Sequence, residues 1–231
     1  MERIPEPELM KQKEQVTSYA EADFSEGENN LIKQIKFYLK KNDIFLNEND
    51  LIVDLGCGPG NISEKLSLTW PESEVIGIDG SEEMILKAES SKNKFLNQDK
   101  MKKLRYLCLD IKNLEPNLIS SKKKITLLVS NSLIHHLRYL DDFLNCIRRL
   151  SNEKTVNFHK DLKRPNDEKS ALELKSKCSS KYDETLTNDY FASLKASYTM
   201  KEMQKSLFDN KFHNLDVFEE GNQYLIIYGK V

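Results

Sequence analysis

The chain has 231 residues, enough for one α/β domain with insertions, and 39% are hydrophobic, enough for one core. No apolar run approaches the length of a bilayer-spanning helix, and the start, MERIPEPELMKQKEQ, has acids and prolines where a signal peptide needs an apolar stretch. The formal net charge of −2 supplies no field that would gather nucleic acid.

Residues 1–25 read as a polar arm carrying two aromatics, Tyr19 and Phe24. Ser25 to Lys41 reads as a helix, because Leu31, Ile32, Ile35 and Leu39 recur at helical spacing with lysines opposite. Leu51 to Asp54 is a buried strand that runs into Gly56-Cys57-Gly58-Pro59-Gly60, and a helix follows over residues 61–69 until Trp70-Pro71. Glycines let the backbone turn sharply and let a ligand touch bare main chain at the N-terminal end of that helix. A dinucleotide fingerprint needs a third glycine where Asn61 stands, so what fits is acid-x-G-x-G-x-G, opening at Asp54.

Glu74 to Asp79 is a second strand ending in an acid, with Gly80 next and Ser81 as N-cap of a helix that carries Met84. A carboxylate at the end of the second strand offers two acceptors to the two hydroxyls of a ribose. Leu104 to Asp110 is a third strand, ending in Asp110-Ile111, with Cys108 in its core. Ligands of open α/β sheets bind at the carboxyl ends of the strands, so three strand-end acids belong on one rim.

Lys124 to Ser130 is the fourth strand and leads into Asn131-Ser132-Leu133-Ile134-His135-His136. A helix spans 139–150, and Lys154 to His159 reads as a fifth strand, shorter and more polar than the others. Residues 165–198 are polar and helix-prone, and read as one or two inserted helices beside the active edge, with Tyr182, Tyr190, Phe191 and Tyr198 among them. Thr199-x-x-Glu202 is a capping-box pattern, and strands over 215–218 and 223–228 close the chain as a hairpin.

These residues together resemble the class I S-adenosylmethionine-dependent methyltransferases, in their bacterial, small-molecule branch. The likeness runs from about Asp50 to the C-terminus. It implies one methyltransferase domain over 1–231, α/β and Rossmann-like. Its seven-stranded, mostly parallel sheet would carry helices on both faces and end in an antiparallel hairpin. It implies that Gly56, Cys57, Gly58 and Gly60 hold the methionine end of S-adenosylmethionine, with Asp54 at its charged groups. Asp79 would take the ribose, with Gly80 beside it also at the cofactor, and Met84, Asp110 and Ile111 would take the adenine. Ser130 and Asn131 would face the sulfonium. Arg3 to Met10 together with Ser18 to Phe24 looks like an arm found in some bacterial members, where it closes over the cofactor; Tyr19 would then touch the cofactor. The alternative is that Tyr19 and Phe24 only anchor the arm.

Methyl transfer from a sulfonium is a direct displacement that needs alignment and exclusion of water. A base is required only where the acceptor must lose a proton. His136 is the first candidate and His135 the second, with only one of two adjacent residues expected to face the donor. His159 is placed at the same edge, and His213 is read as structural. Residues 131–134 lack the prolines and aromatic of adenine-N-methylating enzymes, and no Pro-Cys follows strand four. Asp161 alone makes no ligand set, so no metal is expected. The four cysteines have no C-x-x-C spacing, which suggests a reducing cytoplasm. The partner expected is a small-molecule acceptor, stacked on Tyr190, Phe191 or Tyr198, or with those rings in the core instead. Neither membrane nor nucleic acid is expected as partner, and nothing in the sequence sets the oligomeric state. Other readings are an RNA or protein methyltransferase, a non-catalytic S-adenosylmethionine-binding protein and an NAD-dependent oxidoreductase. The first of these readings needs the lysines at 102–103 and 122–124 massed beside the active edge.

Overall fold

In the computed structural model, residues 1–7, 10, 13–94, 101–119 and 123–231 are described. Glu8 and Leu9 of the arm, and Lys122, lie outside them. Seven strands form one sheet in the order β3-β2-β1-β4-β5-β7-β6. They are β1 (Leu51–Leu55), β2 (Glu74–Asp79), β3 (Leu104–Cys108), β4 (Ile125–Asn131), β5 (Val156–Leu162), β6 (Leu215–Glu220) and β7 (Tyr224–Lys230). The first five run parallel, and β7 pairs antiparallel with both β5 and β6. The order reverses between β1 and β4, which opens a crevice beyond the carboxyl ends of the strands.

Alternation along the strands divides the core in two. Leu51, Val53 and Leu55 of β1 pack on one face with α6 (Leu140–Leu150) and α9 (Met200–Asp209). Phe143, Leu144, Ile147, Met203 and Leu207 fill that layer. Ile52 points to the other face, against Leu31 and Ile35 of α2 (Ser25–Lys41) and Leu66 of α3 (Asn61–Thr69). Each such fully buried Leu, Ile or Phe contributes ~1.5–3 kcal/mol. The predicted bounds of α2 and of β2 are those observed, and the Thr199–Glu202 capping box opens α9. Among the described residues, no helix is long and apolar enough to cross a membrane.

The arm contains a helix that the sequence reading passed over, α1 (Lys13–Glu21), of which only Val16 is fully buried. The insertion forms two helices, α7 (Glu168–Ser179) and α8 (Glu184–Ala196), each opened by an aspartate N-cap. The remaining helices are α4 (Glu82–Lys94) and the short α5 (Pro116–Ile119). Two 3-10 turns, Ile111–Asn113 and Ile134–His136, follow β3 and β4.

Three expectations need correction. First, β5 runs on to Leu162, is as long as β4, and is buried at every position. Its polar residues misled the reading because each has a partner inside. His159 lies between Ser130 Oγ (3.0 Å) and Asn157 Oδ1 (3.1 Å), and Lys160 pairs with Glu220. Second, β3 ends at Cys108, on the side of the sheet where no further strand covers it, so Cys108 is exposed and not core. Third, Asp110 lies past the strand and caps the next turn, accepting from the Lys112 N–H at 2.9 Å.

Candidate active site

The crevice is a cavity of about 1490 Å³ over the carboxyl ends of β1, β2 and β4. That exceeds the ~300–1,000 Å³ of a site for one small ligand, and leaves room for a cofactor and an acceptor together. Asp54, Asp79 and Asp110 all line it, although they stand on different strands or just beyond. So do Gly56, Cys57, Gly58, Gly80, Met84, Ile111, Asn131, Tyr19, His135 and His136.

The glycine loop is built for close approach. The Cys57 N–H bonds to the Ile78 carbonyl at 3.0 Å, which ties the loop to β2. Asp79 is half-buried and accepts from the Gly58 and Ser81 N–H groups at 2.9 and 2.8 Å. Burial pushes its carboxyl up, and those two bonds pull it back only in part. Asp54 is fully buried, and desolvation raises its carboxyl to about 7 even though Ser63 Oγ donates to it at 2.6 Å. A buried acid in that range favours a ligand that brings its own positive charge.

The glycines divide by role. Gly58 (φ +53°) turns toward open space, where an added Cβ would meet only Tyr19, at 4.0 Å. Gly60 (φ +93°) faces inward, and a Cβ there would come within 2.4 Å of Tyr106 Oη and 3.1 Å of Ala88. Gly60 does not line the cavity; its part is to let α3 close onto β3. Gly60→Ala therefore costs stability, by ~2–4 kcal/mol from overlap plus a left-handed backbone. In a chain of this size that lowers Tm by roughly 5–15 °C. Gly58→Ala costs less in Tm but weakens cofactor binding, because its methyl enters the cavity. Melting curves with and without S-adenosylhomocysteine check both, and an equal Tm loss for the two variants contradicts the division.

The remaining predicted residues sort as follows. Ser130 is fully buried beneath the cavity floor, bonded to His159, and lines nothing. His159, placed at the acceptor edge by the sequence reading, sits in the core with Phe143 4.9 Å from it. Burial drives its imidazole down to about 3, so it stays neutral. Of the three rings offered to an acceptor, Tyr190 lines the cavity. Phe191 lies between Lys175 and Lys195, and Tyr198 lies under Arg3. His213 is exposed on the loop before β6, beside Phe208. Tyr19, Phe24 and Tyr182 form an aromatic cluster on the cavity wall, with centroids 5.0 and 5.4 Å apart in sequence.

Both histidines of the pair face one side, against the expectation that adjacent residues diverge. They belong to a 3-10 turn and not a strand, and their rings lie 4.3 Å apart at 37°. His135 Nδ1 donates to Asp161 Oδ1 at 2.5 Å. Burial lowers the His135 imidazole, the Asp161 and Glu6 carboxylates outweigh it, and the ring ends above its ordinary value. Glu6, which the sequence reading did not single out, approaches both rings from the arm. Its partners lie far away in the chain, so no local pattern marks it.

Residues 53–156 match the family model described as a methyltransferase domain. The matched segment is a class I methyltransferase domain. It runs from within β1 to the start of β5 and carries the glycine loop and all three acids. The cofactor of the class is S-adenosylmethionine. Curated relatives of the methyltransferase domain include two proteins named trans-aconitate 2-methyltransferase. One, from Rhodopseudomonas palustris (strain BisA53), is 42% identical over 45 residues, 20% of this chain and 18% of that protein. The other, from Escherichia coli O157:H7, is 48% identical over 42 residues, 18% of this chain and 17% of that protein. The matched stretch thus takes in less than a fifth of either relative's length. Solved structures share the fold over nearly the whole chain. The plantazolicin methyltransferase BpumL, in complex with a pentazolic desmethylPZN analog and SAH, superposes with a TM-score of 0.68 at 18% identity. That match covers 95% of this chain and 91% of BpumL. A SAM-dependent methyltransferase from Aquifex aeolicus gives 0.63 at 18% identity, covering 95% and 98%.

Proposed function

We propose that the chain transfers a methyl group from S-adenosylmethionine to a small-molecule acceptor by direct displacement. The observation that carries this reading is the meeting of Asp54, Asp79 and Asp110 with the glycine loop on one cavity. Asp79 takes the ribose hydroxyls, and Asp110 and Ile111 take the adenine, with Met84 against the ring. The loop from Gly56 to Gly58 takes the methionine end, whose ammonium faces Asp54. Tyr19 covers the loop from the arm. Asn131, His135 and His136 then stand where the methyl group is passed on, and the chain's task there is to hold donor and acceptor in line.

Charge supports a cationic donor. Ten carboxylates and five lysines line the cavity, with no arginine, and one of those lysines, Lys160, is already paired with Glu220. Carboxylates outnumber lysines on this wall two to one, which disfavours a tricarboxylate, so the acceptor of the trans-aconitate relatives is not carried over. For RNA or protein as acceptor, the described lysines Lys103 and Lys123 of the two runs are badly placed. Lys103 bonds Glu72 and Lys123 bonds the Glu48 carbonyl, at the amino ends of the strands, away from the cavity. All four cysteines are free, in keeping with a reducing cytoplasm.

Thermal-shift titration tests the reading. S-adenosylhomocysteine at ~100 times its Kd contributes about 2.7 kcal/mol, a rise of roughly 5–10 °C. NAD gives none. A shift with NAD and none with S-adenosylhomocysteine overturns the proposal. Labelled S-adenosylmethionine incubated with cell extract then identifies the acceptor by product mass.

A further inference from the structure

Glu6, His135 and His136 bring one carboxylate oxygen and two imidazole nitrogens within 4.8 Å of one another. Glu6 Oε1 lies 3.0 Å from His136 Nδ1 and 3.6 Å from His135 Nε2. Neither approach is a hydrogen bond. The first is close but misaligned, so His136 Nδ1 is buried without a hydrogen-bond partner, and the second is too long. Two ring nitrogens aimed at one carboxylate without sharing a proton with it are arranged as ligands are around a common centre. We infer that these three side chains form a binding site for a divalent transition-metal ion of the zinc or iron(II) class.

The surroundings fit such a site. A metal-bound histidine usually donates its second ring nitrogen to a carboxylate, which fixes the tautomer and the ring. His135 does so: Nδ1 donates to Asp161, and Nε2 is the ring atom that faces Glu6. Asp161 is itself held rigid by the Ile134 and Leu162 N–H groups at 2.6 and 2.7 Å. Glu6 is held by Ser193 Oγ, 3.2 Å from each of its oxygens. The arm that delivers it is clamped upstream, where Arg3 donates to the carbonyls of Ala196, Arg138 and Leu137 and the Ile4 N–H donates to Lys195. Charge fits as well, since a dication offsets the carboxylates of Glu6 and Asp161. Two nitrogens and one oxygen suit zinc, iron(II) or cobalt better than magnesium or calcium, which prefer oxygen alone. Three protein ligands leave coordination positions open, and both histidines border the cavity.

The site shares His135 and His136 with the proposed acceptor side, so its test reads metal directly and not methyl transfer. The full chain, freed of any affinity tag and treated with chelator, is titrated with Zn²⁺ by calorimetry. One ion per chain is expected. Glu6→Gln weakens it at least tenfold, His136→Ala abolishes it, and Asp161→Asn, acting through His135, weakens it roughly tenfold. Zn²⁺ also slows tryptic cleavage of the arm in the wild-type chain and not in Glu6→Gln. Glu6→Gln keeps wild-type binding of S-adenosylhomocysteine, which shows that the variant is folded and separates failure here from failure of the proposed function. No saturable Zn²⁺ uptake overturns the inference. So does uptake that Glu6→Gln and His136→Ala leave unchanged, which would place the ion elsewhere, on the cysteines for instance.

Discussion

Asp79→Ala raises the Kd for S-adenosylhomocysteine at least ~100-fold, equivalent to about 2.7 kcal/mol. Two effects add. The ribose loses a charged acceptor for two hydroxyls, each such bond contributing ~1.5–3 kcal/mol. The glycine loop also loses its brace, because the same carboxylate accepts from the Gly58 and Ser81 N–H groups. Stability changes far less than binding. Burial already makes the ionised Asp79 costly, and removing it relieves that cost while two N–H groups lose their partner. Asp79→Asn separates the contributions: its amide oxygen still braces part of the loop, but it offers the ribose one acceptor instead of two. The expected order of affinity is wild type, then Asn, then Ala, read by calorimetry. Equal affinity for all three would remove Asp79 from the cofactor site.

Binding of S-adenosylhomocysteine tightens roughly tenfold from pH 6 to pH 8, and Asp54→Asn removes that dependence. The carboxyl of Asp54 titrates at about 7 when folded, against an ordinary 3.8, because it is desolvated; Asp79 adds repulsion and Ser63 partly offsets it. A group of this kind is ~10% ionised at pH 6 and ~90% at pH 8, and only the ionised form complements the ligand's ammonium. The effect on stability has the opposite sign. Between pH 3.8 and about 7 the folded chain holds a proton that the unfolded chain has released. Stability of the ligand-free chain from this group therefore falls as pH rises through that window and levels off above it. At ~1.4 kcal/mol per pKa unit the loss is at most ~4 kcal/mol. Asp54→Asn should be the more stable protein at pH 8 and the poorer binder. Melting curves and calorimetry at both pH values check the pair of effects.

The three acids were legible because parallel strands put like ends together, so an acid closing each strand predicts one rim without any knowledge of contacts. The glycine loop was legible for its geometry, but the roles within it were not. Gly60 differs from Gly58 only in what lies behind it, and Tyr106 comes from a distant strand. His159 misled for a related reason. A polar residue in β5 looks like a strand end until Ser130 and Asn157 are seen to satisfy it inside the sheet. The stacked histidines depend on a 3-10 turn that their apolar neighbours do not announce. Glu6 was beyond reach, because its neighbours His135, His136 and Ser193 meet it only through the fold. The expectation of no metal, made from Asp161 alone, lacked that residue, and Asp161 turns out to stand behind a ligand candidate as its support.

The most direct test is a crystal structure of the chain grown with S-adenosylhomocysteine. The ribose hydroxyls should lie within hydrogen-bond distance of Asp79, the adenine beside Asp110 and Ile111, and the homocysteine along Gly56 to Gly58 with its ammonium toward Asp54. A nucleoside seated away from this rim, or an empty rim at saturating ligand, would contradict the account.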